Sequence, residues 1–181
     1  MKQIRIHGRG GQGVVSAAEL IAIAAFNNNE EAQAFPSFGV ERTGAPIEAF
    51  ARIDNKPIRT REHVQSPDIL IIQDASVMPA VDVSRGCSEK TVVIINTSQP
   101  KSAITIKGIP ESNIYPIDAT KIALEILGKN IVNTVILGAV AKHTGLFSIK
   151  ALEKAIKQKF GSKKPELVEK NIKAVELAYN L

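Results

Sequence analysis

Six residues near the start, Gly8-Arg9-Gly10-Gly11-Gln12-Gly13, limit what this chain can fold into more than any others. Ahead of them, Gln3 to His7 alternate in polarity as a short strand does. After them, Val14, Val15, Ala18, Ile21, Ala22 and Ala25 recur at helical spacing. Strand, glycine turn and helix in that order open a β-α-β unit and predict an α/β domain. Glycines let the backbone approach a phosphate, and the following helix aims its free N–H groups and partial positive charge at it. The spacing is literally G-x-G-x-x-G, the pattern of a dinucleotide loop. Its companion is missing. An acidic residue should close the second strand about 20 residues on, yet Glu30 and Glu31 stand at its beginning rather than its end, and it runs into Ala34-Phe35-Pro36.

The remaining pattern extends the α/β reading. Asn27-Asn28-Asn29 ends the first helix, and Glu31–Phe35 is a candidate second strand. Prolines and glycines make 36–46 a shaped loop, and Ile47–Ile53 alternates as a strand. Pro57-Ile58-Arg59 is expected to pair back as a hairpin arm after a turn at Asn55-Lys56. Asp68–Asp74, Thr91–Asn96 and Ile114–Asp118 are short apolar runs with polar ends, as in parallel strands covered on both faces. Pro116 assigns the last of them to an edge. Ala103–Lys107 is a further candidate strand, and Met78–Ser84 a short helix. In the last third, Asp118, Asn133 and Ser148 are expected to cap Ala119–Leu127, Thr134–His143 and Ile149–Phe160. Gly128, Gly145 and Gly161 follow as left-handed C-caps. A final helix runs from Lys164-Pro165-Glu166 to about Tyr179. The architecture expected is a single 1–181 domain, three-layer α/β/α, with a mostly parallel, mixed sheet and a Rossmann-like start.

Composition removes whole classes of function. The only cysteine is Cys87, so the chain by itself can build neither a disulfide, a four-thiolate iron–sulfur site nor a structural zinc site. His7, His63 and His143 show no metal spacing, and no metal ligand is expected. No apolar run reaches signal-peptide or membrane-span length, which predicts a cytoplasmic protein without a membrane partner. A net charge of +5 favours phosphorylated ligands or acidic proteins without requiring nucleic acid, and no nucleic acid is expected. Lys154, Lys157, Lys159, Lys163 and Lys164 read as solvated helix faces. Cys87 has no nearby histidine in sequence and reads as a bystander thiol. His7 reads as a hydrogen-bonded structural residue, and His143 as a group held by a helix C-terminus. No catalytic residue is assigned. Asp74, Asn96 and Asp118 end their strands on the rim that carries the glycine loop, where open parallel sheets collect ligands.

Two segments carry a resemblance. The loop Ala34-Phe35-Pro36-Ser37-Phe38-Gly39-Val40-Glu41-Arg42-Thr43-Gly44-Ala45-Pro46-Ile47-Glu48-Ala49-Phe50, with Gly8–Gly13, resembles the gamma subunit of 2-oxoacid:ferredoxin oxidoreductases, especially the pyruvate type. The similarity continues through Pro57-Ile58-Arg59, Gln73-Asp74, Ile95-Asn96-Thr97, Ile117–Ala123, Asn133-Thr134 and Gly138-Ala139. It implies a non-redox share in a complex that oxidatively decarboxylates a 2-oxoacid to acyl-coenzyme A and reduces ferredoxin. Thiamine diphosphate and magnesium would belong to alpha and beta partners, and iron–sulfur clusters to beta and delta partners. It further implies coenzyme A binding by Gly8, Arg9, Gly10, Gly13, Ser16 and Asn133, and an interface at Phe38, Glu41, Arg42 and Thr43. The reading in competition with it is a free-standing oxidoreductase that holds a dinucleotide on the glycine loop.

Overall fold

The computed structural model describes residues 1–37, 43–161 and 165–181. Six strands form one sheet in the order β2-β3-β1-β4-β5-β6, with β1 at Lys2–Arg9, β2 at Glu31–Pro36 and β3 at Pro46–Asp54. β4 is Ile69–Ile72, β5 is Val92–Asn96 and β6 is Ile114–Ile117. β1, β4, β5 and β6 are mutually parallel, while β3 runs antiparallel to both β1 and β2. The sheet is therefore mixed, as expected, and Pro116 does lie in an edge strand. β3 also splits the opening unit. The strand after the first helix lies parallel to β1 but with β3 between them, so β2 does not neighbour the glycine loop as it would in an unsplit β-α-β unit.

Among the described residues there are five α-helices: α1 (Val14–Asn27), α2 (Ala119–Leu127), α3 (Val132–Thr144), α4 (Ile149–Phe160) and α5 (Pro165–Asn180). All five contribute to one core with Ile4, Ile6, Ala49, Ala51, Ile69, Ile71 and Ile94 from a single face of the sheet. α3 is buried from Val132 to Ala141, because its sequence is apolar around the whole circumference and α5 covers its outer side. Gly138 permits that approach: a Cβ there would lie 2.2 Å from the Val175 carbonyl oxygen.

Among the described residues, no α-helix covers the opposite face. Leu70, Ile72, Val93 and Ile95 are covered by Val77, Val83, Ile106 and Ile109, which come from 3-10 turns and extended coil. The third layer expected as helices is thus coil. Met78–Ser84 forms turns beyond a short 3-10 segment at Ala75–Val77, and Ala103–Lys107 is not a strand. Pro57-Ile58-Arg59 forms no strand and pairs with none. These short apolar stretches match the spacing of regular elements, but Pro57 lacks the N–H that a hairpin arm needs, and packing onto the sheet rather than local pattern shapes the other two.

The capping residues divide. Asp118 and Ser148 accept from the backbone N–H of Lys121 and Ala151, closing the first turns of α2 and α4. Asn133 does not cap; it is the second residue of α3, whose N-cap is Ile131. Gly128 and Gly145 are left-handed caps, whereas Gly161 keeps a right-handed φ of −63°. Lys154 and Lys157 are exposed as expected, and Lys159 pairs with Glu19. Lys163 and Lys164 lie outside the described residues.

Candidate functional site

The strand-to-helix turn is closed by its own side chain. Arg9 N–H donates to Gln12 Oε1 at 2.8 Å, and Gln12 N–H donates to the Arg9 carbonyl at 3.1 Å. Gly11 at φ +89° and Gly13 at φ +72° take conformations that side chains resist. Gly13 is the N-cap of α1 and supplies no side chain, so no cap competes for the first-turn N–H groups; helical bonding begins only at Ala17 N–H to the Gly13 carbonyl, 3.0 Å. Gly8 serves another purpose. It lies inside β1, and a Cβ there would meet Val14 Cγ2 at 2.6 Å, so its absence lets α1 sit close on the strand.

The loop between β2 and β3 returns to this turn. Gly10 N–H donates to the Ala45 carbonyl at 2.9 Å, and Gly44 N–H donates back to the Gly10 carbonyl at 3.0 Å. A cleft of about 380 Å³ opens between the two loops, lined by Gly10, Gly11, Gly13, Ser16, Thr43 and Ile47, among others. Of the residues expected to bind, Gly10, Gly13 and Ser16 therefore come together. Thr43, expected at an interface, joins them. Phe38, Glu41 and Arg42 lie outside the described residues.

Arg9 and Asn133 take different places from those expected of ligand contacts. The Arg9 guanidinium is spent on protein: Nε and Nη2 donate to Ser76 Oγ at 3.0 and 2.8 Å, Nη2 donates to the Ser76 carbonyl, and Nη1 donates to the Gly44 carbonyl at 2.9 Å. It ties three loops together rather than lining the cleft. Asn133 is buried, and its Nδ2 donates to the Gly13 carbonyl at 3.3 Å. A Cβ on Gly13 would fall 2.4 Å from that nitrogen. Asn133 therefore positions the glycine loop from behind. The sequence spacing of 120 residues gives no local cue to this contact.

Next to the cleft, the carboxyl ends of β4 and β5 form a polar rim. Asp74 accepts from Gln12 Nε2 at 2.7 Å and from Ser76 N–H at 2.9 Å, with Arg9 Nε at 3.5 Å. Partial burial opposes its ionisation, but the Ser76 and Gln12 donors and the Arg9 charge outweigh it and hold the carboxyl below the usual carboxylate range. Asn96 Nδ2 donates to the Gln73 carbonyl at 2.9 Å and to Thr120 Oγ1 at 3.0 Å, stitching β5 to the start of α2. The three strand-end residues are thus largely employed in structure.

The histidines and the cysteine supply no catalytic pair. His7 is buried, but it is not hydrogen-bonded as expected: Nε2 has no partner and Nδ1 stands 3.8 Å from Glu48. Burial, then the Arg5 and Arg85 charges, push its pKa down to about 3, so the ring is neutral. His143 is stacked on Tyr115 with ring centroids 4.1 Å apart, and burial with Lys142 and Lys101 lowers its pKa. Stacking, rather than a charge on the helix end, accounts for its place. Burial pushes the Cys87 thiol up, away from thiolate reactivity. Among the described residues no group of acidic, histidine or cysteine side chains is placed to hold a metal ion, and no helix is long and apolar enough to cross a membrane.

Residues 3–181 match the family model described as pyruvate ferredoxin/flavodoxin oxidoreductase. The chain is 50% identical over 181 residues to the pyruvate/ketoisovalerate oxidoreductases common subunit gamma of Pyrococcus furiosus, covering 99% of this chain and 96% of the relative. It is 47% identical over 157 residues to the pyruvate synthase subunit PorC of Methanosarcina barkeri, covering 87% and 85%. Among solved structures, the pyruvate oxidoreductase subunit PORC of Thermotoga maritima superposes with a TM-score of 0.84 at 35% identity, over 99% of this chain and 95% of that one. The 2-oxoglutarate:ferredoxin oxidoreductase of Magnetococcus marinus, solved with coenzyme A and succinyl-CoA bound, shares the fold over 30% of its length, at a TM-score of 0.76 and 22% identity.

Proposed function

The chain belongs to the pyruvate ferredoxin/flavodoxin oxidoreductase family as a gamma-type subunit, and from that membership we propose that its two-loop cleft binds the phosphate-bearing part of coenzyme A for the complex. The observation that carries this reading is the uncapped N-terminus of α1 opening on a 380 Å³ cleft walled by glycine backbone and the Ser16 and Thr43 side chains. Such a helix end offers several N–H donors and a positive dipole to one phosphate. Coenzyme A carries a diphosphate and a 3′-phosphate, and the net charge of +5 suits it. Gly10, Gly11 and Gly13 let the ligand reach the backbone, and Ser16 and Thr43 add hydroxyls. Arg9 and Asn133 act one step back, holding the loop in shape.

The redox chemistry belongs to partner chains. A lone cysteine cannot ligate an iron–sulfur cluster, and acyl transfer to coenzyme A needs thiamine diphosphate from elsewhere. The proposed assembly is cytoplasmic, with residues 1–181 as one gamma-type domain beside alpha, beta and delta chains and ferredoxin as electron acceptor. The dinucleotide alternative lacks support on geometry as well as sequence. β2 ends without an acidic residue and is separated from the glycine loop's strand by β3, so among the described residues no carboxylate stands where a ribose would be held.

The test is to isolate the complex through a tag on this chain and titrate it with coenzyme A. Wild type should bind coenzyme A and reduce a viologen dye with a 2-oxoacid. Gly13→Ala strains a φ of +72° and collides with Asn133, and it should raise the coenzyme A Kd at least tenfold. An unchanged Kd in an assembled variant would remove the cleft from coenzyme A binding.

A further inference from the structure

The residue that follows β4 is a glutamine where the two before it are core isoleucines. Strand alternation turns Gln73 to the helix-backed face, next to Gly8, whose Cβ position lies 3.5 Å from Gln73 Cβ. Gln73 is 1% exposed, yet neither Oε1 nor Nε2 of its carboxamide has a hydrogen-bond partner. A buried amide with both ends unpaired is a standing cost that a leucine of similar size would not carry. Such groups are few in folded proteins, and each calls for a cause.

The surroundings supply one. Gln73 lines a cleft of about 270 Å³ at the carboxyl ends of β4 and β5, together with Gln12, Ser76, Thr97, Ser98 and Thr120. Gln12 links this cleft to the glycine loop, since its side chain bonds both Arg9 N–H and Asp74. Asp74 is ionised on the wall and makes the space unsuited to a phosphate. Its oxygens already accept from Gln12 and Ser76. What the cleft still offers is neutral: hydroxyls and the paired donor and acceptor of Gln73.

We infer that this second cleft receives a neutral group presenting a hydrogen-bond donor beside an acceptor, held by Gln73 in a two-point bond. A carboxamide makes that bond to the edge of an adenine, whereas a trans secondary amide holds its donor and acceptor on opposite sides and cannot. The inference rests on the coenzyme A reading, because coenzyme A carries such an edge in the adenine next to its phosphates. The glycine-loop cleft then takes charge and the Gln73 cleft takes shape and hydrogen bonds, a division that separates coenzyme A from bare diphosphate.

The experiment uses the complex isolated through a tag on this chain. Gln73→Met keeps length and volume but removes both polar atoms, and should raise the coenzyme A Kd about tenfold or more by calorimetric titration. Ser98→Phe enters the same cleft from an exposed position without disturbing the core, and should reproduce the loss where Gln73→Met assembles poorly. Adenosine 3′,5′-bisphosphate and pantetheine, used as competitors, identify the group. Weakened bisphosphate binding assigns the adenine, and a loss confined to pantetheine overturns the two-point bond. If Gly13→Ala weakens coenzyme A binding while both cleft variants leave it unchanged, the second subsite is refuted and the glycine-loop reading stands. If none of the three matters, both readings fall.

Discussion

The two faces of the sheet are built on different plans. On the helix-backed face Ile4, Ile6, Ile69, Ile71 and Ile94 meet aliphatic residues of α1 and α3, with no charged side chain between them. On the coil-backed face β1 and β3 bury Arg5, His7 and Arg52. Helices cannot answer such groups, because their carbonyls are used internally. Coil can. Arg5 Nη2 donates to the carbonyls of Val83 and Arg85, though its Nε and Nη1 are left without partners; Arg52 Nη2 donates to the carbonyl of Glu62, with Nε and Nη1 donating to Gln3 and Gln33. Arg52 also lies 5.1 Å over the Phe35 ring. Irregular backbone is what allows guanidinium groups to be buried against a sheet without carboxylate partners. One face is held by apolar area, the other by carbonyls aimed at charge.

The largest expected effect comes from adjacent residues that point to opposite faces. Ile71→Ala empties space between packed helices and should lower unfolding free energy by about 3–4 kcal/mol in urea titration. Ile72→Ala lies under turns at Val77 and Val83, which can settle into the gap, so the loss should be nearer ~2 kcal/mol. Equal losses would mean that the coil layer is as rigid as the helical one.

The next test concerns the charge balance of the coil face. His7 has its pKa pushed down to about 3 from an ordinary 6.5. The unfolded chain therefore takes up a proton first as pH falls. The stability from keeping this ring neutral is complete above pH 6.5 and is lost on acidification towards pH 3. Between pH 6.5 and 5, where most carboxylates stay ionised, the loss should reach about 2 kcal/mol. His7→Leu should flatten that slope in unfolding curves taken at each pH. A slope unchanged by the substitution would mean that His7 is solvated or paired in the folded protein.

This contrast also explains what could be read from sequence. Helix-face strands and α1, α2 and α4 announce themselves by apolar period and by Asp118, Ser148 and the glycine turn. The resemblance carried by Gly8–Gly13 and the 34–46 loop led to the family. The coil layer is not legible in this way: Met78–Ser84 and Ala103–Lys107 have apolar spacing suited to an element, and nothing in that spacing says that they lie across a sheet as turns and coil. Asn133 looked like a cap because it precedes Thr134. In three dimensions its use is long-range, behind Gly13, and α3 can begin at Val132 without a side-chain cap. Gln73 was visible only as a polar strand end. Its burial without partners is a property of packing, which no periodicity reports.

The smallest effect should come from the most conspicuous charge on the coil face. Arg85 is 60% exposed in its side chain and stands 3.4 Å from Glu48. Read as an ion pair it would seem to fasten the coil to β3, but an exposed pair of this kind is worth well under about 1 kcal/mol. What fastens the coil is the Arg85 carbonyl, which accepts from Arg5 whatever side chain the residue carries. Arg85→Ala should therefore change unfolding free energy by no more than about 0.5 kcal/mol. It should also leave most of the acid-induced loss in place, because burial comes before the Arg85 charge among the causes that depress His7. A loss several times larger would show that side-chain charge, not backbone carbonyls, holds this face, and the distinction between the two faces would have to be redrawn.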